Sequence, residues 1–295
     1  METSQLKALL TLLDDPDREV FRHVAERLLG QGKEVIPLLE EAWETNLNPL
    51  VQDRIEELVS IIQTETTKQG LTSWTNSLDL DLLEGAYWIS RFQYSELDKS
   101  HISDIIEKIK KDVWLELNKN LTALEKVKVI NYIMYEVHGF ANHSSNIFSL
   151  QSSFIHQVVE TKRGNPYSLA IIYAGIAQQL GLPIYGVNLP RNFVLAYKDT
   201  QPLEPSSTKK TNNVLFYINP YSKGTVLSYN EIDHYLDQLN IEKKTEYFEP
   251  CTNLQTIAKF VEHLITSYKK IKYVDKAMGM EQLLNILRPN NELEG

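Results

Sequence analysis

The sequence predicts an α+β protein, mostly helical, in which a central buried helix packs on a small antiparallel sheet and helical segments lie on either side of that core. Three observations carry the prediction. Apolar residues recur at helical spacing from Leu6 to Val137. The segment Gly164 to Gly186 then reads as a helix that is apolar nearly all round, and such a helix must be covered on several sides. Four short β-type runs follow it directly. A chain of 295 residues, 42% hydrophobic and 23% charged, has the balance of a globular protein that buries a core and divides into two or three small domains.

The N-terminal region, 1–66, reads as paired short helices. Leu6, Leu9, Leu10 and Leu13 keep helical spacing until Asp14-Asp15-Pro16-Asp17 breaks the run and caps a second helix over 18–29. Gly30 and Gly32 stop that helix, a third covers 35–43, and a fourth carries Leu50, Ile55, Leu58, Val59 and Ile62. The Asp-Pro turn and the phrase Val35-Ile36-Pro37-Leu38-Leu39 give these pairs a HEAT-like character. Thr64 to Gly70 reads as a polar linker.

A second region is expected over 71–250. It begins with an aromatic helix, Leu82 to Tyr94, in which Glu84 and Arg91 could line a groove or form an internal ion pair. A helix over 103–117 buries Ile105, Ile106, Ile109 and Val113, and another runs from Thr122 to about His138, with Thr122 and Glu125 spaced as a capping box. In the central helix Asn165 is the N-cap, Pro166 takes the first helical position and Gly181 ends it. Strands are expected over 183–189, 192–197, 214–219 and 225–228, with a polar loop at 200–213. The last region, 251–295, supplies a TPR-like helical hairpin that caps the middle domain.

Several function classes are disfavoured by composition. A formal charge of −9 opposes broad affinity for nucleic acid or anionic membranes, and the lysine clusters at 108–111, 209–210 and 243–244 read as solvated faces. The one cysteine, Cys251, excludes an internal disulfide and reads as a small apolar residue at a junction, where Thr252 or Asn253 caps the next helix. No histidine and carboxylate spacing resembles a metal helix and no glycine loop fits a nucleotide, so neither metal nor cofactor is expected. The start lacks a basic segment followed by an apolar one, and the longest apolar run is too short to span a bilayer, so the expected location is cytoplasmic.

A helix N-terminus favours a thiolate or oxyanion, and following strands can bring a histidine base and a carboxylate to it. With that layout in view, Glu160 to Leu169, Leu180-Gly181-Leu182-Pro183, Gly186-Val187-Asn188-Leu189-Pro190 and Ile218-Asn219-Pro220 resemble the transglutaminase-like superfamily, in its SirB-type branch. The N-terminal phrases Leu12 to Asp17 and Leu82 to Ala86 share the resemblance, which covers about 6–228. The resemblance implies a papain/transglutaminase-like core. It places the superfamily's cysteine at Pro166, or at Ser168 if the loop differs by two residues. Its histidine falls on Asn192 and its aspartate on Asn219.

All three roles are therefore unfilled, since asparagine has no basic group near neutral pH. The expectation is a non-catalytic module that binds a protein or peptide partner, with Asn165, Ser168, Asn192, Asn219, Tyr221 and His143 lining the cleft. Two alternatives stand beside it. One is a serine-based hydrolase or acyltransferase in which Ser168 works with His143 or His156, and the other is a purely structural helical scaffold.

Overall fold

The Asp14-Asp15-Pro16-Asp17 phrase forms the turn between α1 (Thr3–Thr11) and α2 (Arg18–Leu29), and the Asp17 carboxylate accepts the Glu19 N–H to cap α2. The computed structural model describes residues 3–143, 147–199 and 213–288. By internal packing the chain forms two units, Met1–Thr72 and Ser73–Gly295. In the first, α3 (Ile36–Thr45) and α4 (Pro49–Thr75) complete the helical set. Leu13, Leu28, Val35, Leu39, Ile55 and Leu58 form its buried core. Arg54 ties the turn down by donating to the carbonyls of Leu13 and Asp15 at 2.7 and 2.8 Å, its guanidinium 4.2 Å over the Phe21 ring.

The expected linker over 64–70 is helix, the middle of α4. Its polar composition hides a continuing stripe: Ile62, Thr67 and Leu71 are all buried. The hydroxyls of Thr66 and Thr67 bond back to the carbonyls of Ile62 and Gln63, so these residues do not compete with the helix.

The second unit opens with α5 (Leu82–Gln93), α6 (Lys99–Glu116) and α7 (Ala123–Asn131). Glu84 and Arg91 do not pair. Glu84 meets Lys99 at 3.0 Å, and Arg91 donates to the Ser95 carbonyl at 2.6 and 3.1 Å. The Thr122–Glu125 capping box is present, but the helix it starts changes at Tyr132 into a wider π-helical turn ending at Val137. Two short strands, β1 (Ala141–Asn142) and β2 (Arg163–Gly164), pair in parallel around α8 (Ile155–Thr161). Sequence periodicity offered no signal for these three elements because each is shorter than two turns or two strand repeats.

The central helix is α9 (Pro166–Gln179), and β3 (Ile184–Leu189), β4 (Asn192–Lys198), β5 (Val214–Asn219) and β6 (Thr225–Leu227) follow it as an antiparallel sheet in sequential order. Leu195 pairs with Ile218 and Gly186 with Leu195, so every strand is registered on β4 or its neighbour. α9 packs on β3 and β4 and is flanked by α5, α6, α8 and α11 (Asn253–Lys270), which explains its apolar circumference. The other sheet face, through Val187, Leu189, Val194, Ala196 and Tyr217, meets Ile232 and Leu236 of α10 (Tyr229–Gln238) and Phe248. α12 (Val274–Leu287) completes a hairpin with α11, and α11 itself contacts α5, α9 and β3. Most of the loop expected at 200–213 lies outside the described residues.

Candidate functional site

The start of α9 is built by residues that satisfy one another. Asn165 caps it: its Oδ1 accepts the Ser168 N–H at 2.9 Å, and Ser168 Oγ accepts the Asn165 N–H at 3.0 Å. The Ser168 hydroxyl donates to the Ser152 carbonyl at 2.7 Å, and both Asn165 and Ser168 are fully buried. Pro166 has no N–H to offer. Gly164 lets the chain pass close by, since a Cβ there would lie 2.8 Å from Ser168 Oγ and from Leu169. Among the described residues the Ser168 hydroxyl bonds only to Asn165 and Ser152. The first-turn donors of Asn165 and Ser168, which would stabilise an anion, are thus already engaged.

A stack of four rings covers this cap. Tyr167 lies against Phe193 at 4.9 Å on one side and His263 at 4.6 Å on the other, and Phe148 stacks on His263 at 5.5 Å. Lys270 Nζ stands 3.0 Å from the centre of the Phe148 ring. His263 Nε2 is 3.1 Å from Asn165 Nδ2 and 3.1 Å from the Ile147 carbonyl, so the tautomer decides which of the two it bonds. Burial, opposed by the Ile147 carbonyl and reinforced by Lys270, pushes the His263 pKa down to about 4. His263 is neutral at pH 7. Burial also pushes the Tyr167 phenol up to about 12, with Glu262 adding to the effect.

His263 is the residue that sequence reasoning missed. It comes 98 positions after Asn165, far from the motif. The available signal was its place on the buried stripe of α11, three residues after Phe260 and four before Ser267.

The remaining predicted positions sit as follows. Asn192 opens β4 opposite Leu189, after a tight turn in which Arg191 has φ +63°, and its Oδ1 accepts the Phe193 N–H at 2.8 Å. Asn219 ends β5 opposite Thr225, and its Oδ1 accepts the Tyr221 N–H at 3.1 Å. By strand alternation Asn192 shares a side with Val194 and Ala196, and Asn219 with Tyr217, the side that packs on α10. Tyr221 donates its hydroxyl to the His143 carbonyl at 3.0 Å, and the His143 N–H donates to Gly164 O at 2.9 Å. Tyr221 and His143 are therefore joined to the strand that leads into α9, while Asn165 and Ser168 form the closed cap.

Other histidines serve elsewhere. His138 Nε2 meets Asp112 at 2.7 Å, His156 packs edge-on against Tyr94 at 4.3 Å, and His234 meets Gln238 at 3.0 Å. The Cys251 N–H donates to Gly186 O at 2.7 Å, Thr252 caps α11, and burial pushes the Cys251 thiol up. Among the described residues no group of three or more His, Cys, Asp and Glu side chains could hold a metal ion, and no helix is long and apolar enough to cross a membrane.

A UPF0162 protein of Xylella fastidiosa (strain Temecula1) is 26% identical over 130 residues, 42% of this chain and 46% of that protein. F-box only protein 21 of Mus musculus is 28% identical over 109 residues, 37% of this chain and 17% of that protein. A UPF0162 protein of Buchnera aphidicola is 26% identical over 201 residues, 65% of this chain and 68% of that protein. The chain thus spans less than half the length of the first two relatives. No solved structure matches it. The family model described as the transglutaminase-like superfamily matches residues 100–262, more than half of the chain, and with its central helix and antiparallel sheet the chain belongs to that superfamily.

Proposed function

We propose that this chain is a non-catalytic member of the SirB-type branch, a module that binds a protein or peptide partner, with HEAT-like helices before its core and a TPR-like hairpin after it. The observation that carries the proposal is the closed cap at the start of α9. The resemblance puts the nucleophile at Pro166 or Ser168: proline has no nucleophilic side chain, and the Ser168 hydroxyl is buried and gives its proton to a main-chain carbonyl. A serine nucleophile must instead donate to a base. Asn192 and Asn219, which the resemblance puts at the positions of the histidine and aspartate, lie on the sheet side that faces α10, and their amides hydrogen-bond but do not take up protons near neutral pH. Burial raises the Cys251 pKa, which disfavours the thiolate a cysteine nucleophile needs.

The test is to assay the purified chain for amidase, protease and acyl-transfer activity beside Ser168→Ala. Neither protein turns over substrate under this proposal, and an acyl-phosphonate probe leaves Ser168 unlabelled. Turnover by the parent that disappears in Ser168→Ala would overturn the proposal in favour of serine chemistry.

A further inference from the structure

The charge of the chain is unevenly distributed. Residues 1–72 hold fourteen Asp and Glu against seven Lys and Arg, so the first unit carries most of the formal charge of −9. Between α3 and α4 this unit has a groove of about 470 Å³, lined among others by Glu40, Trp43 and Glu44 of α3 and Glu56, Val59 and Gln63 of α4. Helical spacing explains the lining, because residues three and four apart share a face. No lysine or arginine lines the groove. The nearby Arg54 is engaged with the carbonyls of Leu13 and Asp15 and with the Phe21 ring.

Trp43 gives this groove a specific character. Its indole N–H donates to Glu56 Oε1 at 3.1 Å, which fixes the edge of the ring, yet the residue remains 38% exposed. The groove therefore offers an aromatic and aliphatic floor, from Trp43, Ile55 and Val59, inside a rim of three carboxylates.

We propose that the α3–α4 groove docks a basic segment of a partner protein. The aliphatic stem of a Lys or Arg side chain lies on Trp43 and Val59, and its cationic head sits among Glu40, Glu44 and Glu56. Charge complementarity selects this occupant. An apolar segment would strip water from three carboxylates without pairing them, and a nucleic acid or anionic lipid has the wrong sign. Long basic side chains combine an apolar stem with a charged head, and an indole face attracts the cation. The proposal rests on the reading of the chain as a binder. Its failure would leave the proposed absence of turnover untouched, since activity is measured separately.

The experiment titrates the full chain with a fluorescein-labelled peptide of alternating leucine and arginine and reads polarisation. Two charge-matched triple variants are compared: Glu40→Gln/Glu44→Gln/Glu56→Gln in the groove and Asp53→Asn/Glu57→Gln/Glu65→Gln at other exposed positions of α4. The groove triple weakens binding by about tenfold, the sum of a few exposed charge pairs, and Trp43→Leu separately weakens it by about fivefold, the loss of one cation–π contact. The other triple changes it by less than about threefold, the long-range share of the field. All six carboxylates are exposed, so these variants keep the core, and circular dichroism checks that they do. Equal weakening by both triples would overturn the proposal as diffuse attraction. Undiminished binding by the groove triple, or no binding by the parent, would overturn it as well.

Discussion

At Asn165 one side chain does three jobs: it caps α9, donates to Ser153 Oγ at 2.8 Å and faces His263. Asn165→Ala removes the cap, at about 1–2 kcal/mol, and leaves buried partners unmatched at about 1–3 kcal/mol more. Denaturant unfolding of the variant should show a loss within the sum of those ranges. His263 makes a pH prediction. Its folded pKa, about 4, lies below the ordinary 6.5, so between those values the unfolded chain takes up a proton that the folded chain refuses. The stability it contributes is whole above pH 6.5 and is lost as the pH falls toward 4. Unfolding free energies measured across that window should fall less steeply for His263→Gln, by about one proton in slope. Asn165 and Pro166 were legible in the sequence because capping is local. His263 was not, because its role depends on α11 returning to α9.

Among the elements, the π-helical turn shows how a local irregularity fixes a distant loop. From within that turn the Tyr135 hydroxyl donates to Pro220 O, 2.9 Å away, and Asn131 at the end of α7 donates to Gly224 O at 2.8 Å. Gly224 has φ +71°, and a Cβ there would overlap Asn131 Oδ1. Gly224→Ala should therefore cost at least about 2 kcal/mol by denaturant unfolding, from the left-handed backbone and the clash together. The same substitution made in an Asn131→Ala background should cost less, which a double-mutant cycle measures. The sequence announced the strands well, because Pro183, Pro190-Arg191 and Asn219-Pro220 punctuate them. It did not announce α10, in which only Ile232 and Leu236 are buried, or the helical course of 64–70, where Thr67 holds the buried position an aliphatic residue would mark.

On the scale of the whole molecule, each unit has its own buried core, and the family match lies entirely in the second. A unit of this small size buries a modest share of its surface, whereas α9 in the second unit is enclosed nearly all round. Hydrogen exchange followed by mass spectrometry should thus release amides of α1–α3 at lower free energy than those of α9 and β4. The reverse order would mean that the first unit is the more stable. The family was legible because its phrases bracket α9 and the strand ends, where glycine, proline and asparagine are demanded by the backbone. The closure of the cap was not, because it depends on Ser152 and Ser153, outside those phrases. The four stacked rings come from the loop before α8, from α9, from β4 and from α11. Circulating π electrons of Phe148 and Tyr167 shield whatever lies between their faces, and His263 lies there. Its carbon-bound ring protons should resonate upfield of an ordinary histidine, and that displacement should shrink when either the loop before α8 or α9 parts from α11. A single line in a proton spectrum thus becomes a gauge of whether the second unit has assembled.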